Sequence, residues 1–182
     1  MVARIRRHMN KAKELLRAKL KERRLNLELD LRRDHSEIIT ASLKTIADWG
    51  LAKSIHIYEP ILLSGEVDIS AFTTYLKINY PNIRLHTSRK IDGAWMIVDL
   101  AGNATESITY DYVIVPMLGF DESLERIGQG GGYYDRFLKR QSDAKKIGVC
   151  FEVGRIKEVP KEAHDVPMDV IVSEKRIYYK NP

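Results

Sequence analysis

The run Gly128-Gln129-Gly130-Gly131-Gly132-Tyr133-Tyr134-Asp135 constrains this chain more than any other stretch. It places four glycines in five positions, between an apolar segment at 112–115 and an amphipathic segment at 134–140. Glycines between a strand and a helix let backbone N–H groups approach an anion, and the helix N-terminus adds partial positive charge. The pattern predicts a strand–loop–helix unit whose loop is either an anion cradle or a plain flexible turn.

Two common nucleotide motifs are excluded at this loop. Tyr133 stands where a P-loop needs glycine before Lys-Ser/Thr, and also where a dinucleotide fingerprint needs its third glycine. What remains is a phosphate cradle of another pattern, flanked by Arg126 and Asp135. An arginine can clamp a phosphate with two hydrogen bonds. Asp135 can either hold Mg²⁺ or simply place a favourable charge in the first turn of the helix.

A second acidic candidate is His164-Asp165, which lies between Pro160 and Pro167. The prolines predict a loop, and a loop held by a rigid scaffold often carries functional residues. Aspartate is also favoured in surface turns for its local hydrogen bonding, so both interpretations stay open.

The positive charge of the chain is concentrated at its N-terminus. Residues 1–24 contain ten Lys or Arg and two Glu, although the net charge of all 182 residues is only +5. Helical spacing over about 8–24 gives an apolar stripe of Met9, Ala12, Leu16 and Leu20 beside a basic stripe of Lys13, Arg17 and Lys21. We therefore expect this basic helix to pack on the domain, although a nucleic-acid arm or a solvated helix face would show the same charge.

Composition bounds the class of protein. The single cysteine, Cys150, cannot form an internal disulfide, which favours a reducing compartment. The sequence has no apolar run of transmembrane length and no signal-like N-terminus, so we expect a soluble, cytoplasmic protein without a membrane partner.

Strand-like and helix-like segments alternate along the chain, which is typical of the α/β class. Helices are predicted at about 8–24, 36–49, 68–80 and 134–140. Asp34 or Ser36 is the predicted cap of the second helix and Asp68 that of the third. Strands are predicted at 54–58, 83–87, 95–100, 110–115, 147–151, 170–172 and 176–179, with Asp92-Gly93 as a hairpin turn. The hairpin implies a mixed sheet.

Several segments together resemble one enzyme family. The stretches 116–121 and 126–138, Lys13-x-x-Leu16-Arg17, Glu66-Val67-Asp68 and Pro160-x-x-x-His164-Asp165 look like the signatures of 5-formyltetrahydrofolate cyclo-ligases. The resemblance implies one cyclo-ligase-like domain over 1–182, with a three-layer α/β/α fold and a mixed, mostly parallel sheet. It also implies ATP- and Mg²⁺-dependent closure of 5-formyltetrahydrofolate to 5,10-methenyltetrahydrofolate, with ADP and phosphate released through a phosphorylated formyl intermediate.

The resemblance also assigns roles to residues. Arg126 and Asp135 would be catalytic, Asp135 and Asp165 would bind the metal, and Glu66, Tyr133 and Tyr134 would bind the substrate. ATP would contact Lys13, Arg17, Arg126, Ile127, Gly128, Gln129, Gly130, Gly131, Gly132, Tyr133 and Tyr134.

Some positions depart from the family pattern. Gln129 replaces a residue that is basic in many members, Ile69 replaces a threonine, and the stretch 84–110 matches worst. An alternative is therefore a diverged homologue that binds nucleotide but uses another ligand or has lost turnover. RNA binding rests on the N-terminal charge alone, and we expect no nucleic-acid partner. The expected oligomeric state is a monomer or a weak homodimer.

Overall fold

The computed structural model describes residues 2–105, 108–162 and 164–180, with side chains described from residue 11 onward. Its α-helices are α1 (Val2–Leu25), α2 (Leu29–Thr45), α3 (Ser70–Asn79) and α4 (Tyr133–Lys139). Its strands are β1 (Ser54–His56), β2 (Arg84–Ile91), β3 (Ala94–Asp99), β4 (Tyr112–Pro116), β5 (Gly119–Phe120), β6 (Arg126–Ile127), β7 (Lys145–Val149), β8 (Val170–Val172) and β9 (Ile177–Tyr179). None of the helices in this described part combines the length and apolar character needed to cross a bilayer.

Seven strands form one sheet in the order β3-β2-β1-β4-β7-β8-β9. The five inner strands pair in parallel, and β3 and β9 close the two edges as antiparallel strands. The turn between β2 and β3 is Asp92-Gly93, and both residues have positive φ, which suits a tight hairpin. The predicted mixed, mostly parallel sheet is confirmed, and all seven predicted strands lie in it.

Helices cover both faces of the sheet. Ile114 of β4 belongs to a core cluster that contains Ile39 and Phe72 from α2 and α3. Its neighbours Val113 and Val115 point to the opposite face and belong to the cluster of Phe137 in α4. Because successive side chains of a strand alternate between faces, β4 is buried on both sides. The three-layer α/β/α arrangement is confirmed.

A small third cluster attaches α1 to the domain. Leu20 is buried against Leu118, which precedes the two-stranded ribbon β5–β6, and against Ile127 of β6. The predicted packing of this helix is therefore confirmed, but the predicted apolar stripe is partly wrong. Ala12 is exposed, whereas Lys13 and Arg24 are 5% and 4% exposed; the side chain of Met9 lies outside the described residues. The buried face of α1 is thus partly cationic.

The predicted start of the second helix is wrong. We expected a helix from Ser36 to Trp49, but α2 begins at Leu29 and has Glu28 at its N-cap without a side-chain hydrogen bond. Ser36 lies inside the helix, donates to the Arg32 carbonyl oxygen and accepts from the Asp68 N–H. The helix ends at Thr45, and Trp49 starts a separate 3₁₀ turn that Asp48 caps. A true helix start without a capping side chain leaves no signature in the sequence.

The contact between α1 and the β5–β6 ribbon depends on Gly119. A Cβ atom there would lie 2.5 Å from the Gly154 carbonyl oxygen and 2.7 Å from a Leu20 methyl carbon. We expect Gly119→Ala to lower the free energy of unfolding by about 1–3 kcal/mol, because a backbone atom cannot yield as a side chain can. Urea unfolding measures this loss. The control is Gly131→Ala, whose added methyl meets nothing within 4 Å; equal stability of the two variants would contradict the account.

Candidate active site

A cavity of about 640 Å³ opens where the central parallel strands end. Tyr58 and Glu59 line it just beyond β1, and Pro116 lines it at the end of β4. The carboxyl ends of parallel strands are the usual ligand-binding edge of such sheets. All the candidate residues chosen from the sequence line this cavity: Lys13, Arg17, Glu66, Arg126, Ile127, Gly128, Gln129, Gly130, Gly131, Gly132, Tyr133, Tyr134, Asp135 and Asp165.

Lys13 of α1 reaches into the acidic loop that follows Pro160. Its Nζ lies 2.6 Å from Asp165 Oδ2 and 3.1 Å from Glu162 Oε2. Burial pushes the pKa of Asp165 upward, but hydrogen bonds from Lys13 and the Glu162 N–H outweigh burial and hold that pKa below the usual aspartate range. Asp165 is therefore an ionised carboxylate next to a cation at neutral pH.

A second ion pair lies across the glycine loop. Arg126 of β6 donates from a terminal guanidinium nitrogen to Asp135 Oδ1 in the first turn of α4. The Arg126 side chain is 6% exposed, and its Nε has no partner among the described residues. Arg126 lines the cavity, and its guanidinium carries five N–H donors, so it can donate to an acceptor that enters.

The glycine loop is held through its carbonyl groups. Arg17 Nε donates to the Gly128 carbonyl oxygen at 3.2 Å, and Arg136 donates to that of Gly131 at 3.2 Å. Gly130 and Gly132 have φ of 98° and 63°, a conformation in which other residues would be strained. Within the described ranges, the N–H groups of residues 130–132 make no backbone hydrogen bond. The loop thus has the donors that an anion cradle needs.

Asp121 fixes the ribbon below the loop. Its Oδ1 accepts from the N–H groups of Ser123 and Glu125, and its Oδ2 accepts from the Val159 N–H at 2.8 Å. One buried carboxylate therefore ties β5–β6 to the segment that leads to Asp165. This explains an aspartate that the sequence motif contains but to which we had assigned no role.

Glu66 and Tyr58 also line the cavity, and both bond to the backbone around them. Glu66 Oε2 accepts from the Ile61 N–H at 2.9 Å, and its Oε1 lies 3.4 Å from Gln129 Nε2. Tyr58 donates to the Val67 carbonyl oxygen, which fixes the backbone next to Glu66. Gln129 therefore links the glycine loop to Glu66 in place of the basic residue that many family members carry.

The hairpin β2–β3 contributes two cavity residues that the sequence did not identify. Ser88 lies against the Tyr133 hydroxyl, and the Trp95 ring lies 4.9 Å from the Tyr133 ring between centroids. The divergent stretch 84–110 therefore forms a wall of the cavity. The period-2 hairpin pattern predicted these strands, but only the sheet order places them next to β1 and the loop.

His56 lies behind this wall and makes stability depend on pH. Burial and the nearby His86 lower the pKa of His56 to about 3. The unfolded chain, in which histidine titrates near pH 6.5, therefore binds the extra proton between pH 6.5 and 3. Stability conferred by this group is complete above pH 6.5 and is lost as the pH falls.

We expect the wild-type free energy of unfolding to drop by about 2 kcal/mol more than that of His56→Gln between pH 7.5 and 5.0. Urea unfolding at the two pH values measures the difference. Identical pH slopes would show that His56 does not titrate in this way.

The acidic loop also offers ligands for a cation. Glu162, His164 and Asp165 each present one ligand atom, and these atoms lie within 4.8 Å of one another. Asp135, the other predicted metal carboxylate, lines the same cavity but is paired with Arg126. Carboxylate oxygens are the ligands that Mg²⁺ prefers, so the donor set fits a hard divalent cation.

Comparison with known sequences gives consistent results. Residues 96–174 match the profile of the 5-formyltetrahydrofolate cyclo-ligase family. The chain is 32% identical to a 5-formyltetrahydrofolate cyclo-ligase of Mycoplasma pneumoniae over 125 residues, which cover 67% of this chain and 73% of the relative. A mouse enzyme of the same name is 25% identical over 193 aligned positions, covering 91% of this chain and 95% of that protein.

Solved structures show the same similarity in three dimensions. A 5,10-methenyltetrahydrofolate synthetase from Mycoplasma pneumoniae superposes with a TM-score of 0.77 at 28% identity, covering 89% of this chain and 98% of that one. The corresponding synthetase of Aquifex aeolicus gives a TM-score of 0.76 at 28% identity, with 93% of each chain covered. These two structures share the architecture described above.

Proposed function

Because this chain belongs to the 5-formyltetrahydrofolate cyclo-ligase family, we propose that it closes 5-formyltetrahydrofolate to 5,10-methenyltetrahydrofolate at the expense of ATP. The observation that carries the proposal is the composition of one cavity. The same cavity is lined by cationic side chains and the glycine loop, and by Glu66, Tyr133 and Trp95. Such a cavity can hold a polyphosphate and a planar heterocycle next to each other.

The proposed chemistry has two steps. The formyl oxygen attacks the γ-phosphorus of ATP, so that ADP leaves and the formyl group becomes an iminium phosphate. The N10 amine then attacks the formyl carbon, loses its proton, and the C–O bond breaks to release phosphate with the former formyl oxygen. Phosphoryl transfer of this kind needs positioning and charge stabilisation more than covalent participation by the protein.

The cavity has groups that could position a phosphate and stabilise its charge. Lys13, Arg17 and Arg126 would neutralise phosphate oxygens, and the N–H groups of residues 130–132 would donate to them. We propose that Arg126, whose Nη1 lies beside Gly128 at the cavity wall, contacts the transferring phosphoryl group. Removal of a single preorganised donor of this type costs enzymes about 10²–10³ in kcat.

Charge balance supports a metal requirement. Among the residues whose side chains are described, six carboxylates line the cavity, Glu14, Glu59, Glu66, Asp135, Glu162 and Asp165, together with three Lys or Arg side chains. A cation that accompanied a bound polyphosphate would offset its repulsion by these carboxylates. Mg²⁺, held by Asp165 and Asp135 with Glu162 in reach, would neutralise the phosphates. We expect ATP to bind at least tenfold more weakly when EDTA replaces Mg²⁺, as measured by calorimetry.

Glu66, Tyr134 and the rings of Trp95 and Tyr133 suit a reduced pterin. Glu66 can accept hydrogen bonds from ring N–H donors, and its second oxygen is already oriented by the Ile61 N–H. Burial raises the pKa of Tyr134 well above its usual range, so this hydroxyl remains protonated. The rings of Trp95 and Tyr133 offer an apolar surface for stacking. We propose that residues 1–182 act as one domain with this single site.

A direct assay tests the proposal. The protein is incubated with 5-formyltetrahydrofolate, MgCl₂ and ATP, and the absorbance of methenyltetrahydrofolate is followed. Product that requires both ATP and Mg²⁺ would support the proposal. ATP binding without product would instead indicate a diverged homologue that acts on another ligand.

A further inference from the structure

His56, Ser88 and Tyr133 form a hydrogen-bonded chain that runs from the core to the cavity. His56 Nε2 lies 2.7 Å from Ser88 Oγ, and Ser88 Oγ in turn lies against the Tyr133 hydroxyl. His56 is fully buried, Ser88 is half-buried on β2, and Tyr133 lines the cavity. Three polar groups on β1, β2 and α4 are thus linked in one line.

The direction of hydrogen-bond donation along this chain follows from Nδ1, the imidazole nitrogen that does not face Ser88. His56 Nδ1 is buried without a partner among the described residues. A neutral imidazole carries one proton, and its low pKa keeps it neutral. If Nδ1 held that proton, a buried donor would be left unpaired, which proteins avoid more strictly than an unpaired acceptor. The proton therefore belongs on Nε2, which donates to Ser88.

The hydroxyl groups of Ser88 and Tyr133 then donate in the direction of the cavity. Ser88 Oγ accepts from His56, so its own proton is free for the Tyr133 oxygen. Tyr133 in turn accepts from Ser88 and keeps its O–H for another acceptor. Stacking on Phe137, with ring centroids 5.7 Å apart and planes 10° apart, fixes the ring from behind.

From this geometry we propose that Ser88 and His56 are positioning residues, which make the Tyr133 hydroxyl an obligate hydrogen-bond donor to an oxygen of the bound folate. The proposal rests on the proposed function for the identity of that ligand. Ser88 lies in the stretch that departs from the family pattern, where the resemblance assigns no role to any residue. A donor of fixed direction would favour a carbonyl or formyl oxygen over an amino group at this position.

The direction can be tested without turnover. In ¹⁵N-labelled protein, long-range ¹H–¹⁵N spectra distinguish a protonated from an unprotonated ring nitrogen, and comparison with His56→Gln assigns the His56 signals. We expect Nε2 to be protonated at pH 7.5 and Nδ1 to be bare. A protonated Nδ1 would reverse the chain and overturn the proposal, whether or not the protein closes the folate ring.

A double-mutant cycle tests the effect on the substrate. We expect Ser88→Ala and Tyr133→Phe each to lower kcat/KM for 5-formyltetrahydrofolate roughly 3- to 10-fold, the range of one neutral hydrogen bond. In the Tyr133→Phe background, Ser88→Ala should change kcat/KM less than about 2-fold, because the hydroxyl it orients is gone. Ser88→Thr, which keeps a hydroxyl, should recover most of the activity.

The matched control is Ser54→Ala. Ser54 is a buried serine on the neighbouring strand β1, and its hydroxyl donates to the Thr109 carbonyl oxygen at 2.9 Å. We expect Ser54→Ala to lower the free energy of unfolding and to leave kcat/KM unchanged. If the losses from Ser88→Ala and Tyr133→Phe multiply, Ser88 acts on the fold alone and the proposal fails. Absence of any product from wild-type protein would instead refute the proposed function, and the His56 tautomer would still decide the direction.

Discussion

Replacing Asp135 with asparagine is expected to lower kcat for methenyltetrahydrofolate formation by about 10²–10³-fold while the protein stays folded. The change removes one negative charge and almost no volume. The amide oxygen of the new side chain would still accept a hydrogen bond from Arg126, so the guanidinium keeps a partner in the first turn of α4. What is lost is a carboxylate that we propose as a metal ligand, and metal-assisted neutralisation of phosphate is worth several kcal/mol.

Steady-state assays at saturating ATP and increasing MgCl₂ measure this effect, and circular dichroism verifies the fold. Asp143→Asn is the control, since Asp143 is an exposed carboxylate near the end of α4. If Asp135→Asn retained near-normal turnover at low MgCl₂, Asp135 would be removed from the metal site.

Lys13→Met should change two affinities in opposite directions. Lys13 Nζ donates to both Asp165 and Glu162, so in this geometry the lysine occupies the position that a divalent cation would take. We expect ATP affinity to fall by about 10²-fold, because a buried cation next to the phosphates is lost. We expect Mn²⁺, used in place of Mg²⁺, to bind about tenfold more tightly without nucleotide, because the competing ammonium is gone.

Calorimetry with Mg·ATP and electron paramagnetic resonance titration with Mn²⁺ measure the two affinities. Lys19→Met is the matched control, because Lys19 is an exposed lysine of the same helix. Loss of both affinities together would mean that Lys13 acts only by stabilising the site. Unchanged ATP affinity would show that Lys13 does not contact the phosphates of ATP.

Local patterns predicted most of the sheet. Strands such as β4 carry continuous apolar residues, and the turn Asp92-Gly93 has the dipeptide that a tight hairpin requires. The start of α2 could not be predicted, because Glu28 makes no capping bond and Ser36 bonds within the helix. A capping side chain is the main signal in a sequence for where a helix begins, and α2 begins without one.

The predicted residues all line the cavity, but its hairpin wall was not predicted. The glycine loop, Arg126 and Asp135 are contiguous, so their chemistry could be recognised from spacing. Ser88 and Trp95 gave no such signal, because their contact with Tyr133 arises from sheet order and from pairing between β2 and β1. The ion pair of Lys13 with Asp165 joins residues 152 positions apart, so no local pattern predicts it. The periodicity of α1 predicted an inward-facing apolar stripe and did not predict that Lys13 is buried.

The fate of the formyl oxygen directly tests whether ATP phosphorylates the formyl group before the ring closes. The protein is given 5-formyltetrahydrofolate labelled with ¹⁸O in the formyl group, together with Mg·ATP, and the inorganic phosphate is analysed by mass spectrometry after one turnover. We expect one ¹⁸O atom in each phosphate released with methenyltetrahydrofolate, since the formyl oxygen leaves on phosphorus. Methenyltetrahydrofolate accompanied by unlabelled phosphate, or no product at all, would contradict it.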